Sequence, residues 1–234
     1  MVFEKWPLAT FINCGMSASS KYLYLLAGIL LVFAWIEPNY YMPWKAFYNE
    51  FLAFLSLFLI FLADLNNKKR VSLLFICWCL FVLTLFAQMA LGQFYFSSDA
   101  LVAAIYIVCA LISYQCGLNL EKRDVLFFIS VVLLVGGGLN SVFAICQVFG
   151  VEYSFITGLS AHGRIFGNMA QPNNLSTLLC MSFLAATYLY WNQRLNVVVF
   201  VCIFLIIACV LTSVSYTHLR APRDLSTSRM PSSA

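Results

Sequence analysis

The sequence predicts an all-α fold, a polytopic bundle of transmembrane helices. Three observations predict it. Of 234 residues, 63% are hydrophobic and only 9% charged, where soluble globular chains are about a quarter charged. The apolar residues fall into seven stretches, each near the ~20 residues that cross a bilayer. Basic residues gather in alternate connections, the pattern of a chain threaded back and forth through a membrane.

The stretches cover 22–36, 51–65, 71–91, 100–120, 125–148, 175–191 and 197–212, the second being short. Each is expected to be a helix, because lipid offers no partner to an unpaired backbone group. Lys5 and Lys21 precede the first. Lys68, Lys69 and Arg70 follow the second, Lys122 and Arg123 the fourth, and Arg194 the sixth. The other connections hold only Lys45 and Arg164. Basic residues stay cytoplasmic, so the N-terminus is expected inside, with connections 37–50, 92–99 and 150–174 outside. The first twenty residues lack the compact apolar core and cleavage site of a signal peptide.

The net charge of +4 depends partly on Arg220, Arg223, Arg229 and Asp224; without these four it is +2. So small an excess does not point to nucleic acid. The nine cysteines lie mostly in apolar runs and form no zinc or thioredoxin pattern, so neither metal nor disulfide is assigned. The fifth stretch carries Gly136, Gly137 and Gly138, then Asn140, Ser141 and Gln147. A glycine costs ~1 kcal/mol against alanine in a helix, so a triplet needs a reason. That reason is a close helix contact, a kink, or a hinge beside a substrate groove.

The polar stretch AHGRIFGNMAQPNNLSTLL, residues 161–179, opens the sixth span. Pro172 with Asn173 and Asn174 reads as a helix start, with asparagine able to cap. Gly163 and Gly167 allow tight backbone beside Arg164. Free N–H groups at a helix start plus a guanidinium suit a phosphate or diphosphate. An interfacial arginine reaching for lipid headgroups fits the same residues. His162, Lys45, Gln171 and Asn173 are further candidates for binding phosphate or sugar, with Gly163, Gly167, Pro172 and Glu50 as structural members. Glu50 and Asp99, at helix ends, could orient an arginine, contact an acceptor or simply cap.

These residues resemble the signature of the bacterial protein O-oligosaccharyltransferases, or pilin glycosylation ligases, within the O-antigen ligase and polymerase superfamily. Arg164, Gly167, Gln171, Pro172 and Asn173 match its arginine, glycine and Gln-Pro-Asn pattern. The stretch PNYYMPWKAFYNE, with Pro43, Trp44, Phe47 and Glu50, resembles the family's first outer loop. AQMALGQFYFSSDA, with Gln88, Gly92 and Asp99, resembles the exit of its third span.

The resemblance implies a multi-pass inner-membrane glycosyltransferase with a periplasmic active side and no cofactor. It would move an oligosaccharide en bloc from undecaprenyl diphosphate to a serine or threonine hydroxyl of a pilin or other protein. The general base would be a histidine on a periplasmic loop of the C-terminal half, so no residue here is assigned as catalytic. An O-antigen ligase acting on lipid A core, or an O-antigen polymerase, would share donor and topology. A transporter or lipid-binding subunit is the alternative of another class, but charges here sit at span ends rather than midplane.

After Ser213 the sequence changes character. VSYTHL, residues 214–219, resembles translated adapter: GTC TCT TAT ACA CAT CTC, the end sequence of transposase-based library preparation, would read as these residues; SRMPSSA, 228–234, also resembles adapter. Residues 214–234 are therefore expected to be non-native, and 1–213 to be the N-terminal transmembrane part of a longer protein, inactive by itself. A genuine periplasmic tail is the alternative.

Overall fold

A computed structural model describes residues 18–38, 46–64, 72–93, 97–119, 122–151, 155, 165–169, 171–208 and 210. Lys45, His162, Gly163, Arg164 and the stretch 214–234 lie outside them. Among the described residues every regular element is an α-helix: α1 Ala18–Ile36, α2 Phe47–Asp64, α3 Leu73–Ala90, α4 Ser97–Asn119, α5 Lys122–Val148, α6 Pro172–Trp191 and α7 Val197–Ala208.

Five helices, α1 to α5, are long and apolar enough to cross a membrane. The second stretch gains the polar turn before it and reaches 18 residues as α2. Two stretches differ from expectation. α6 has 20 residues but opens on Pro-Asn-Asn and carries serine and threonine throughout, so its apolar content falls below that of a clear span. α7 has the composition of a span over a shorter described length.

The chain forms two compact units. One comprises 1–5, 32–49 and 129–234; the other comprises 6–31 and 50–128.

In the second unit, α1 and α2 run antiparallel. Ser56 Oγ donates to the Ala27 carbonyl at 2.7 Å, and Ser20 Oγ donates to the Ala63 carbonyl at 3.3 Å. The two bonds are seven residues apart on both helices, two turns, which puts both on one face of each. Phe54 meets Tyr106 of α4 edge-on, with ring centroids 5.5 Å apart, and α3 packs against α4. Ser72 caps α3, its Oγ accepting the Phe75 N–H at 3.1 Å. Gly92, at φ +69°, ends it in the left-handed conformation that glycine adopts without a Cβ clash.

In the first unit, Ala144, Leu175, Leu179, Ile207 and Val210 form a core joining α5, α6 and residues near the end of α7. Phe183 packs on Phe204 and Tyr190 stacks on Phe200, with centroids 5.4 and 4.7 Å apart. The α6–α7 turn places Gln193 at φ +55°, and Asn196 Oδ1 accepts the Val198 N–H at 3.0 Å to start α7.

Both units are built for lipid. Their buried positions include Ala27, Ala104, Ala144, Ala186, Ser56 and Ser141, while leucine, phenylalanine and valine crowd the exposed set. Small residues let helices approach where lipid removes the hydrophobic drive between them.

Candidate functional site

The polar stretch before α6 is held from beneath by α5. Asn140 and Gln147 are seven residues apart and so share one face of that helix. Gly136 and Gly137 lie one turn below, and α5 runs unbroken through the triplet. A Cβ on Gly136 would enter the Trp35 ring, and one on Gly137 would lie 2.6 Å from Ser182 Cβ. Ser182 uses that closeness, donating to the Leu133 carbonyl of α5 at 2.7 Å. Close helix contact therefore accounts for these two glycines. Gly138 faces open space.

Above the glycines, Gln147 grips the turn at Phe166–Asn168. Its Oε1 accepts the Phe166 and Gly167 N–H groups at 3.1 and 2.9 Å, and its Nε2 donates to the Gly167 carbonyl at 2.7 Å. Asn140 Oδ1 accepts the Asn168 N–H at 3.1 Å. Its Nδ2 donates to the carbonyls of Trp35 at 3.1 Å and Gly136 at 3.0 Å. Asn168 in turn donates to the carbonyls of Ile36 and Phe155, both at 2.8 Å. All three amides are buried. Gly167 has φ +55°, and a Cβ there would sit 3.1 Å from both the backbone oxygen and Oδ1 of Asn140. Only glycine suits that place and conformation.

α6 begins at Pro172, four residues beyond Asn168. Gln171 is its N-cap at φ −140° and ψ 139°, the extended backbone that a following proline imposes. Its carbonyl accepts the Leu175 N–H at 3.2 Å, while its side chain makes no capping bond. The expectation that an asparagine caps α6 is thus corrected. With Pro172 in the first turn, Asn173 and Asn174 already lie inside the helix, and Asn174 Nδ2 reaches back to the Met169 carbonyl at 3.4 Å. Gln171 and Asn173 are exposed at the helix start. The Asn173 carbonyl accepts from Thr177 Oγ1 at 3.0 Å.

The first unit thereby brings four segments to one end: the end of α1, the start of α2, the end of α5 and the start of α6. Asn49 Nδ2 ties the start of α2 to the end of α1, donating to the Ala34 and Glu37 carbonyls at 2.7 and 3.1 Å. Of the sequence candidates, Gly167, Gln171, Pro172 and Asn173 fall together here. Arg164, His162, Gly163 and Lys45 fall outside the described residues. Glu50 belongs to the second unit, in the first turn of α2, where its carboxylate hydrogen-bonds with Tyr106 and its buried Oε2 has no partner among the described residues. Asp99 lies in the first turn of α4.

The sequence reading did not single out Asn168, Asn140 and Gln147 as members of the site. Two amides one heptad apart inside an apolar span were the available signal, since such groups are costly in lipid unless bonded.

Comparison with known proteins now bears on these residues. The chain is 33% identical over 197 residues to the general O-oligosaccharyltransferase of Acinetobacter baylyi, a match covering 79% of the chain and 34% of that relative. It is 28% identical over 178 residues to the ComP-specific O-oligosaccharyltransferase of the same bacterium, covering 71% of the chain and 32% of that relative. The chain thus spans about a third of the length of these curated relatives. No family model matches, and no solved structure matches.

Proposed function

We propose that this chain, which belongs to the O-oligosaccharyltransferase family over the length it shares with those relatives, is the N-terminal membrane part of a protein-glycosylating enzyme. That enzyme transfers an oligosaccharide en bloc from undecaprenyl diphosphate to a serine or threonine hydroxyl of a pilin or another periplasmic protein. The observation that carries this reading is the 33% identity over 197 residues to a general O-oligosaccharyltransferase. The names of both relatives favour a protein acceptor over lipid A core. The N-terminus is assigned to the cytoplasm of the inner membrane, and the end of the first unit that carries the clamped turn to the periplasm.

The acceptor oxygen attacks the anomeric carbon as the bond to the phosphate oxygen breaks. Negative charge builds on the departing lipid diphosphate, and a cation placed there lowers the barrier most directly. Arg164 takes that place, its planar fork suiting phosphate oxygens. Gln171 and Asn173, exposed at the start of α6, offer amides to sugar or phosphate oxygens. His162 and Lys45 supply further polar contacts to the donor. The base that takes the acceptor proton is assigned to the remaining length of the enzyme, so 1–213 alone is inactive.

Arg164→Ala in the complete enzyme tests the reading. Transfer to pilin, followed by its gel mobility, should fall by about a hundredfold or more, with lipopolysaccharide unchanged. Undiminished pilin glycosylation would refute the assignment of Arg164.

A further inference from the structure

We infer that one face of α4 is the seat of a membrane-spanning helix contributed by the part of the enzyme beyond residue 213. The inference rests on the reading of this chain as the N-terminal part of a longer enzyme, and it goes beyond the activity assigned there.

α4 lies wholly within the second unit. Between residues 101 and 117 it exposes nine residues, and they fall into two strips. With about 3.6 residues per turn, Leu101, Ile105 and Val108 share one strip. Ala103, Tyr106, Ala110, Ser113, Tyr114 and Gly117 share another, nearly opposite. The buried Ala100, Ala104 and Leu111 lie between the two on one side. The first strip is aliphatic throughout and suits lipid tails. The second holds no large aliphatic residue. It is built from small residues and hydroxyl groups, the composition with which helices approach each other in a membrane.

Ala103, Ala110 and Gly117 follow one another at intervals of seven, the spacing of a near-parallel helix seam. Nothing lies within 4 Å of where a Cβ on Gly117 would stand. A glycine in a helix costs ~1 kcal/mol against alanine, and here, unlike at Gly136 and Gly137, no described neighbour accounts for it. Both strips belong to one helix in one solvent, so lipid alone does not explain their difference. The strip from Ala103 to Gly117 is about 21 Å long, most of the ~30 Å hydrocarbon thickness. Its occupant therefore spans the membrane, since an irregular loop exposed to lipid would leave its backbone groups unpaired.

Charge chooses among spanning occupants. Tyr106 donates a hydrogen bond to the carboxylate of Glu50, so Glu50 stands at the edge of this strip. Its buried Oε2 has no partner among the described residues. A carboxylate among membrane helices is costly unless paired, which calls for an arginine or lysine on the occupant. A second copy of this chain does not supply one there. Two copies related by an axis normal to the membrane meet residue for residue at equal depth, which sets Glu50 and Tyr106 against themselves. The remaining length has room for such a helix, because this chain corresponds to about a third of each curated relative.

The test is photo-crosslinking of the complete enzyme in native membranes. Tyr114→p-benzoylphenylalanine places the label on the second strip, aromatic for aromatic. Ile105→p-benzoylphenylalanine places it on the first. Crosslinked peptides are mapped by mass spectrometry, and transfer to pilin is followed alongside. The Tyr114 label should join a peptide beyond residue 213 of the same molecule, at several times the yield from the Ile105 label. The helix so identified should carry an arginine or lysine; one with neither would overturn the pairing with Glu50. Capture of a second copy, of residues 1–213 alone or of lipid alone would overturn the inference, as would equal yields from the two strips.

A second measurement needs no label. Ala110→Leu should lower the melting temperature of the complete enzyme by about 2 °C or more. Val108→Phe, an enlargement on the aliphatic strip, should lower it by less than about 1 °C. Equal shifts would overturn the inference too. Neither readout depends on catalysis, so failure here leaves the assigned activity standing, and loss of that activity leaves the seat on α4 standing.

Discussion

α3 and α6 are similar in length, 18 and 20 residues, and meet their surroundings in opposite ways. α3 buries a single residue, Val82, and exposes Leu73, Leu80, Leu83 and Phe86. α6 buries Leu175, Leu178, Leu179, Ser182, Ala185, Ala186 and Leu189 along one stripe, and leaves Asn173 and Thr177 exposed near its start. α3 has the surface of a helix solvated by lipid. α6 has the surface of a helix specified by neighbouring protein, with a polar first turn. The more apolar helix is the less specified one, and Pro172 and Asn173 of the Gln-Pro-Asn pattern open the helix of lower apolar content.

Three substitutions would break or sharpen that contrast, read as melting temperature of the detergent-extracted protein. The largest effect is expected for Leu179→Ala, whose side chain is fully buried between α5 and α7; such truncations cost about 2–5 kcal/mol. Next comes Gly137→Ala, which drives a methyl group against Ser182 and breaks its bond to Leu133. Overpacking of this kind costs about 1–3 kcal/mol. Smallest is Leu83→Ala on α3, 62% exposed, expected within about 0.5 kcal/mol because lipid is as apolar as the side chain removed. A Leu83→Ala loss as large as that of Leu179→Ala would show that α3 is packed against protein and would end the contrast.

The helices were legible because apolar length is a local property. α1 to α5 fall where the apolar stretches lie; most starts move outward as polar turns such as Phe47–Glu50 join a helix, while α3 starts later, at Leu73, behind its Ser72 cap. The start of α6 was legible from Pro172, but its cap was not. A proline in the first turn shifts the cap to the residue before it, so Asn173 and Asn174 lost that role to Gln171. The glycine triplet showed that something approached α5 closely and could not show that it was Trp35 and Ser182. The clamp formed by Asn140, Gln147 and Asn168 was hidden for a stronger reason. Asn140 bonds a carbonyl 105 residues away, and Asn168 bonds one 132 residues away. Main-chain carbonyls carry no sequence signature, so no pattern in the sequence names these partners. What remained visible was that Asn140 and Gln147 were polar in the wrong solvent.

The clamp's preference for main chain has a consequence for how this segment tolerates change. Trp35, Ile36, Phe155 and Phe166 are held in these bonds by their peptide groups. Residue count is another matter. Removing or adding one residue between Phe166 and Asn168 would offset the N–H groups from Gln147 and Asn140 at once. In a random library this turn would tolerate exchange of Phe166 far better than insertion of a residue, while position 167 would accept little but glycine.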